Sequence, residues 1–422
     1  MLKKLAKGEL NEILEIVTKG TDNSFEYKQG KITDILISAP HSANQTREGK
    51  IKYAERYTGV IANILHKYFG YSILYKTKNC GDDANYDEKS SYKDFLYEKC
   101  RQFKPLVVLD LHGLSKNREA QVNIGTNFGE SVFQDNEIIT CLIDCLKKYK
   151  VTNIVTDHPF SANLRTITSS LSRNVGTKAI QLELNYGFLS ASEKNILKIV
   201  NAIDEFCNIL RRQSSIRDKS IDTTKLKEID HVFYNSQGES DFLSIDNASS
   251  VVLSAPHAKA GVVNNKLKMS ESMSGSLCKI LNDEFKFSVI YKSRDNELDY
   301  MNSKSNAYKD ALKQMLKNNR VKLLLELHII NATRSDDMLL FLPKKYDQYA
   351  FYQIINILNR QGIKKFSINS IFNSSKKERV TNQFKGKCFV MQLCINQRLV
   401  ENDEGLKMVL KTLQHITSIF VY

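Results

Sequence analysis

The chain has little of what usually separates folded parts. Its 422 residues include only 18 glycines and 5 prolines, and these are not clustered. A long flexible tether is therefore not expected. No apolar run approaches the length of a membrane span. Lysines stand at positions 3, 4 and 7 without an apolar stretch of signal-peptide length beside them. The eight cysteines form no Cys-x-x-Cys pair. Several lie in apolar patterns, and Cys141 and Cys145 fall four apart on one helix face. They read as reduced core thiols, so the expected compartment is the cytoplasm. The formal charge is +14 and the pI near 9.2, but no run of five basic residues occurs. No RNA-binding or helix-turn-helix signature accompanies the lysines. They describe a basic surface, and neither nucleic acid nor a membrane is an expected partner.

What the chain does have is a set of residues stated twice. Ile37-Ser-Ala-Pro-His41 returns as Leu253-Ser-Ala-Pro-His257, and Val108-Leu-Asp-Leu-His112 as Leu324-Leu-Glu-Leu-His328. The differences 257 − 41 and 328 − 112 are both 216. Glu55 recurs as Glu271, Gly59 as Gly275, and Tyr92-Lys93-Asp94 as Tyr308-Lys309-Asp310, at the same offset. A third anchor, Ile180-Gln-Leu-Glu-Leu184, returns as Met391-Gln-Leu-Cys-Ile395, where 394 − 183 is 211. The histidines survive in both copies, while the last carboxylate becomes Cys394. The length exceeds one ordinary core. With the repeat it predicts a first domain over 1–214, a polar linker over 215–227 and a second domain over 228–422.

Within each copy, short apolar runs alternate with amphipathic patterns. In the first, Asp34–Ser38, Tyr71–Tyr75, Pro105–Asp110 and Ala179–Leu184 read as strands. Tyr53–Phe69, Tyr92–Phe103, Glu137–Tyr149 and Ser192–Arg212 read as helices. The second copy has strands at Val251–Ser254, Phe287–Tyr291, Val321–Glu326 and Phe389–Cys394. Alternation of this kind implies α/β architecture: two tandem three-layer α/β/α domains with mainly parallel mixed sheets.

Ligands of such sheets bind beyond the carboxyl ends of the strands. His41, His112 and Glu183 all lie at such ends, so they converge although distant in sequence. Two imidazoles and one carboxylate form the ligand set of a catalytic zinc, with a position left open for water. The third ligand is Glu55 or Glu48. Glu55 is favoured because Glu271 repeats it, whereas Asn264 stands opposite Glu48; the plainer reading of Glu55 is a helix N-terminal carboxylate. Asp110 shares a strand face with His112 and can hold its second nitrogen. Glu183 is the candidate general base that takes the proton of the attacking water. Arg165 and Arg173 are candidates to clamp a substrate carboxylate, against the plain alternative of solvated loop arginines. Lys376 and Phe384 stand opposite them in the second copy. There His257, Glu271 and His328 repeat the ligands, but Cys394 is a poor proton acceptor. The second copy is expected to be silent in catalysis while keeping a metal-ligand set.

Ser-Ala-Pro-His-Ser, Glu55-x-x-Thr58, Asp-Leu-His-Gly at 110–113 and Ile-Gln-Leu-Glu-Leu-Asn at 180–185 resemble the N-formylglutamate amidohydrolase family. Asp82-Asp-Ala-Asn-Tyr86 looks like that family's Asp-Asn stretch, which puts Asn85 among the substrate-binding candidates. The likeness covers most of 30–190 and, more weakly, 245–400. Asp-Leu-His also resembles the zinc-histidine motif of aspartoacylases. The resemblance implies a zinc carboxypeptidase-like, phosphorylase/hydrolase-like fold. It also implies a metal-dependent hydrolase, Zn2+ being the expected ion, of small N-acyl amino acids or peptide-like amides. It supports His41 and His112 as ligands and Glu183 as base. The chain departs from the family at Ala43, where glycine is usual, and at Ala258-Lys-Ala-Gly261; Met301 stands opposite Asn85. Two other readings remain: a non-catalytic metal-binding or scaffold protein with a basic surface, and a peptidase or poly-γ-glutamate-type hydrolase.

Overall fold

The computed structural model describes residues 1–421 apart from 264–265, 299, 301–302, 304, 318–319, 344, 369–379 and 385. The chain divides into two compact units, Met1–Arg211 and Arg212–Tyr422.

The first unit carries α1 (Glu9–Lys19), β1 (Phe25–Lys28), β2 (Ile32–Ala39), the hairpin β3 (Gln45–Arg47) and β4 (Lys50–Lys52), α2 (Arg56–Phe69) and β5 (Tyr71–Lys76). Then follow α3 (Ser91–Phe103), β6 (Val107–Leu114), β7 (Val122–Gly125), α4 (Asn136–Lys148), β8 (Ile154–Thr156), α5 (Ile167–Val175), β9 (Ala179–Asn185), α6 (Tyr186–Ser190) and α7 (Glu193–Asp218). Seven strands form one sheet in the order β1-β5-β2-β6-β9-β7-β8. The centre is parallel; β1 and β7 run antiparallel to their inner neighbours β5 and β9.

Alternation along the strands fills both faces. Ile35, Ile37, Val107, Leu109, Ile180 and Leu182 join Val60, Ile64, Leu142 and Ile199 on one side. Leu36, Val108 and Ala179 join Leu96, Ile167 and Leu171 on the other. This is the expected three-layer arrangement, and each buried Leu or Ile contributes about 1.5–3 kcal/mol. The second face turns polar toward the strand ends, where Ser38, Asp110, Gln181, His112 and Glu183 replace aliphatic side chains.

The second unit repeats the plan. It comprises α8 (Thr223–Asn235), β10 (Phe242–Ile245), β11 (Val251–Ala255), the hairpin β12 (Gly261–Val263) and β13 (Lys266–Lys268), α9 (Ser272–Phe285), β14 (Ser288–Lys292), α10 (Ala307–Met315) and β15 (Leu323–Ile330). After these come β16 (Met338–Phe341), α11 (Gln348–Arg360), β17 (Phe366–Ile368), α12 (Val380–Gln383), β18 (Phe389–Asn396), α13 (Gln397–Glu401) and α14 (Asp403–Ser418). Its sheet runs β10-β14-β11-β15-β18-β16-β17, matching the first position by position. No helix among the described residues is long and apolar enough to cross a membrane.

The segment expected as a linker is largely helical: α7 continues to Asp218, and α8 starts at Thr223 with the Asp222 carboxylate accepting from Thr224 N at 2.8 Å. It is polar yet holds no glycine or proline, and helix occupies all of it but 219–222.

The repeated residues have repeated duties. Gly59 lets α2 approach α1 and the loop after β2: a Cβ there would lie 2.8 Å from Ser42 Cβ and 2.9 Å from Val17 Cγ1. At Gly275 it would lie 2.5 Å from Phe233 Cζ and 2.7 Å from Ala258 Cβ. Tyr92 is fully buried; its hydroxyl donates to Leu74 O at 2.8 Å, accepts from Ala39 N at 3.2 Å and lies 3.0 Å from Ser38 Oγ. Tyr308 bonds Ile290 O and Ser254 Oγ, both at 2.9 Å. Deleting such a hydroxyl strands buried partners, at about 1–3 kcal/mol. Tyr92→Phe and Tyr308→Phe should each lower the urea-unfolding midpoint by that equivalent; unchanged midpoints in both would show that the hydroxyls are idle.

Candidate metal centre

Register brings the site together. In the adjacent strands β2, β6 and β9, Ser38 pairs with Asp110, Asp110 with Gln181, and His112 with Glu183. His41 follows the end of β2, and its carbonyl accepts from Glu55 N at 2.8 Å, fixing the start of α2. Glu55 is the N-cap residue, yet its carboxylate makes no cap hydrogen bond. It reaches across to β6 and accepts from Gly113 N at 2.7 Å. The glycine makes room for it, because a Cβ at 113 would stand 2.9 Å from Glu55 Cγ. The helix-terminus account of Glu55 is thus set aside by where the side chain goes. It also explains why α2 begins three residues after its expected start at Tyr53.

Each imidazole has a carboxylate behind it. His41 Nε2 lies 2.9 Å from Asp83 Oδ1, and His112 Nε2 lies 3.1 Å from Asp110 Oδ2. An ionised carboxylate only accepts, so both Nε2 atoms carry the proton, and in the neutral rings both Nδ1 atoms hold the lone pair. Those lone pairs converge. The two Nδ1 atoms are 3.2 Å apart, and Glu55 lies 3.3 Å from His41 Nδ1 and 3.6 Å from that of His112. Donors about 2.0–2.1 Å from a shared tetrahedral centre stand about 3.3 Å from one another. The trio therefore fits a small divalent cation in spacing and in chemistry.

The carboxylates are themselves held. Asp110 Oδ1 accepts from Ser38 Oγ at 2.8 Å. Asp83 Oδ2 accepts from Arg47 Nε at 2.7 Å, and Asp83 Oδ1 from Asn85 N at 3.0 Å. Burial disfavours charge on both rings, but Glu55 with Asp83 outweighs it at His41, and Asp110 with Glu55 outweighs it at His112, so both ring pKa values rise. Burial also works against the Glu55 carboxylate, yet the two imidazoles bring its pKa down to about 2. Glu183 goes the other way: burial, with the Glu55 charge adding to it, lifts its carboxyl to about 7 against the pull of His112 and His41. Gln181 Nε2 donates to its Oε1 at 2.8 Å.

His41, Glu55 and His112 thus form one group, with Asp110 beneath it and Glu183 on the neighbouring strand. The alternative ligand Glu48 lies outside it: it sits at a positive φ in the turn of the β3–β4 hairpin, and its carboxylate accepts from Tyr86 Oη. Asn85 is engaged structurally, its Oδ1 accepting from Ile167 N at 2.8 Å at the start of α5. Arg173 is exposed and directs its guanidinium to the carbonyls of Ser169 and Leu164. Arg165 lies over the Tyr86 ring at 5.3 Å. Arg47 lies over the same ring at 4.9 Å. Sequence reasoning missed Asp83 and Arg47. Asp83 was within reach, because it belongs to the Asp-Asp-Ala-Asn stretch; Arg47 carried no signal. A cavity of about 160 Å³ opens beside Glu55, walled by Tyr57, Gly113, Ser115, Leu184 and Tyr186.

In the second unit His257, Glu271 and His328 also form a group. His328 Nδ1 lies 3.1 Å from Glu271 Oε2, and His328 Nε2 lies 3.0 Å from Glu326 Oε1. Cys394 pairs in register with His328, as Glu183 does with His112. Asn264, Met301 and Lys376, which stand opposite Glu48, Asn85 and Arg165, lie outside the described residues.

No family model and no curated protein matches the sequence. Among solved structures, the chain is similar to N-formylglutamate amidohydrolase from Ralstonia eutropha JMP134 at 12% identity and TM-score 0.32, over 44% of this chain and 98% of that one. A bacteriophage poly-gamma-glutamate hydrolase matches at 12% identity and TM-score 0.29, over 44% and 89%. A metallo-carboxypeptidase from Pseudomonas aeruginosa matches at 10% and 0.31, over 49% and 68%. Likeness at this level carries no argument about activity, which rests on the side chains above.

Two outcomes follow from the geometry. His41→Ala and His112→Ala should each remove metal from the first unit, as elemental analysis of the folded variants would register; full loading in both would refute the ligand set. Protons compete for the same Nδ1 lone pairs, and the ring pKa values are raised. Metal affinity, measured by chelator competition, should therefore climb as pH is raised through the neutral range. A flat profile would contradict the assignment.

Proposed function

We propose that the first unit is a divalent-metal-dependent hydrolase of amide bonds, with zinc as the ion and small N-acyl amino acids or peptide-like amides as substrates. The observation that carries this is the convergence of three candidate donors, with the Glu183 carboxyl on the neighbouring strand. His41, His112 and Glu55 would hold the ion, two nitrogens and one oxygen being a set that suits zinc. When bound, the ion supplies polarisation of the scissile carbonyl and acidification of water.

The chain's own groups account for the rest. Asp83 and Asp110 keep both rings in one tautomer and orientation, so they act as positioning residues. Glu183 takes the proton of the water that adds to the carbonyl carbon. It delivers that proton to the amide nitrogen as the C–N bond breaks, leaving a carboxylic acid and an amine. A carboxyl held near 7 suits both halves of that transfer at neutral pH. The amide class is supported by the Pro-His, Asp-Leu-His and Gln-Leu-Glu motifs and their resemblance to the N-formylglutamate amidohydrolases. Their match in strand order and motif spacing supports reading the two units as a tandem repeat, the second lacking the base.

Glu183→Gln is nearly isosteric but accepts no proton. It should keep its metal while kcat on N-formyl or N-acyl amino acids falls by about 10² or more. Activity within a few-fold of the parent would remove Glu183 from the role of base. A parallel panel of peptides and γ-linked glutamates separates an acylase from a peptidase.

A further inference from the structure

The second unit has the larger pocket, about 730 Å³, at the place corresponding to the cavity beside Glu55. Its floor already holds a cation supplied by the chain. Lys268, the last residue of β13, lays its ammonium 2.6 Å from Glu271 Oε1. The other oxygen accepts from Ile329 N at 3.1 Å and lies 3.1 Å from His328 Nδ1. Both oxygens of the repeated carboxylate are thus engaged.

The first unit differs at this point. Lys52 is the counterpart of Lys268, since 268 − 52 is 216, and it pairs with Gln45 across its hairpin as Lys268 pairs with Gly261. Yet Lys52 is exposed, and among the described residues no ion pair joins it to Glu55. The donors are disposed differently: His328 Nδ1 lies closer to Glu271 Oε2, at 3.1 Å against 3.6 Å for His112 and Glu55, while the first histidine stands farther off. His257 Nδ1 lies 3.8 Å from Glu271 Oε1, against 3.3 Å for His41 and Glu55. The ring centroids are 5.0 Å apart instead of 4.7 Å. An ammonium has three donors and no lone pair, so it offsets the carboxylate's charge without offering a ligand. It also repels any second cation brought to the same oxygen. A divalent ion entering here would have to displace it.

We propose that Lys268 is a built-in cation: it occupies the charge position that a divalent ion takes in the first unit, keeps the second pocket free of metal, and masks a second divalent-cation site at His257, Glu271 and His328. The inference rests on reading the first site as a metal centre. What it adds is that the full chain has capacity for one ion, and that a single side chain sets that number.

The test counts ions on the full-length protein. Wild type, Lys268→Met and Lys268→Ala are stripped, loaded with excess Zn2+, desalted and measured by elemental analysis, with circular dichroism as the control for folding. The expected counts are one per chain for wild type and two for Lys268→Met. The count should return to one in Lys268→Met/His328→Ala. A wild-type count of two that drops to one in His328→Ala overturns the proposal. So does a folded Lys268→Met whose count equals that of wild type. Lys268 is 36% exposed on a hairpin, and Lys268→Ala gives the same comparison should the methionine variant not fold. A wild type that takes up no ion would end the reading of the first site. The role of Lys268 would then be decided separately, by whether its removal creates a site that His328→Ala abolishes.

Discussion

Two carboxylate–imidazole hydrogen bonds set the character of the first unit. If Asp83 and Asp110 did not hold the Nε2 atoms of His41 and His112, either ring nitrogen could carry the proton and the site would have no defined donor set. With those bonds made, the lone pairs of the neutral rings face the centre. Each carboxylate depends on something further out: Asp110 on Ser38 one strand away, Asp83 on Arg47 of the hairpin and on Asn85 N. The polar row Ser38, Asp110 and Gln181 exists because three parallel strands share a register. The sheet is therefore the means by which residues from 38 to 183 present one geometry.

The residues repeated at the offset of 216 divide into two kinds. Gly59 with Gly275, and Tyr92 with Tyr308, are requirements of packing: a helix that passes too close for a Cβ, and a hydroxyl that ties a helix to two strands. The histidines and Glu55 with Glu271 satisfy no such requirement. Their cost in buried charge is met by one another and by the carboxylates behind them. A repeat that kept only the fold would have been free to replace them with aliphatic side chains.

How much of this could be read from the sequence follows from where each signal lies. The central strands were legible because a strand buried on both faces is an apolar run: β2, β5 and β9 reach at most two residues beyond either expected bound, while β6 starts two residues late at Val107 and runs on to Leu114. The edges were not. Phe25–Lys28 and Ile154–Thr156 are short and only partly buried, so neither an apolar run nor alternation marks them. Glu55 was legible as a candidate ligand because it is repeated. Asp83 was obscured because its role depends on how the loop between β5 and α3 folds back on His41, and its counterpart Asp299 lies outside the described residues. The helices that occupy most of 215–227 went unread because polarity marked the segment only as a linker, when a helix exposed over much of its surface is polar as well.

Glu183 and Cys394 occupy the same place, each paired in register with the second histidine and each approached by a glutamine two residues earlier. Gln181 Nε2 lies 2.8 Å from Glu183 Oε1, and Gln392 Nε2 lies 3.4 Å from Cys394 Sγ. The surroundings act on both in the same direction, since burial disfavours the charged form and raises both pKa values. The outcome differs because the starting points differ. A carboxyl raised from its ordinary range arrives near 7, where it can take and return a proton. A thiol raised from an already higher value stays protonated at physiological pH in the metal-free unit, so it does not serve as a base. At this one position the substitution replaces a group able to take and return a proton with one that is not.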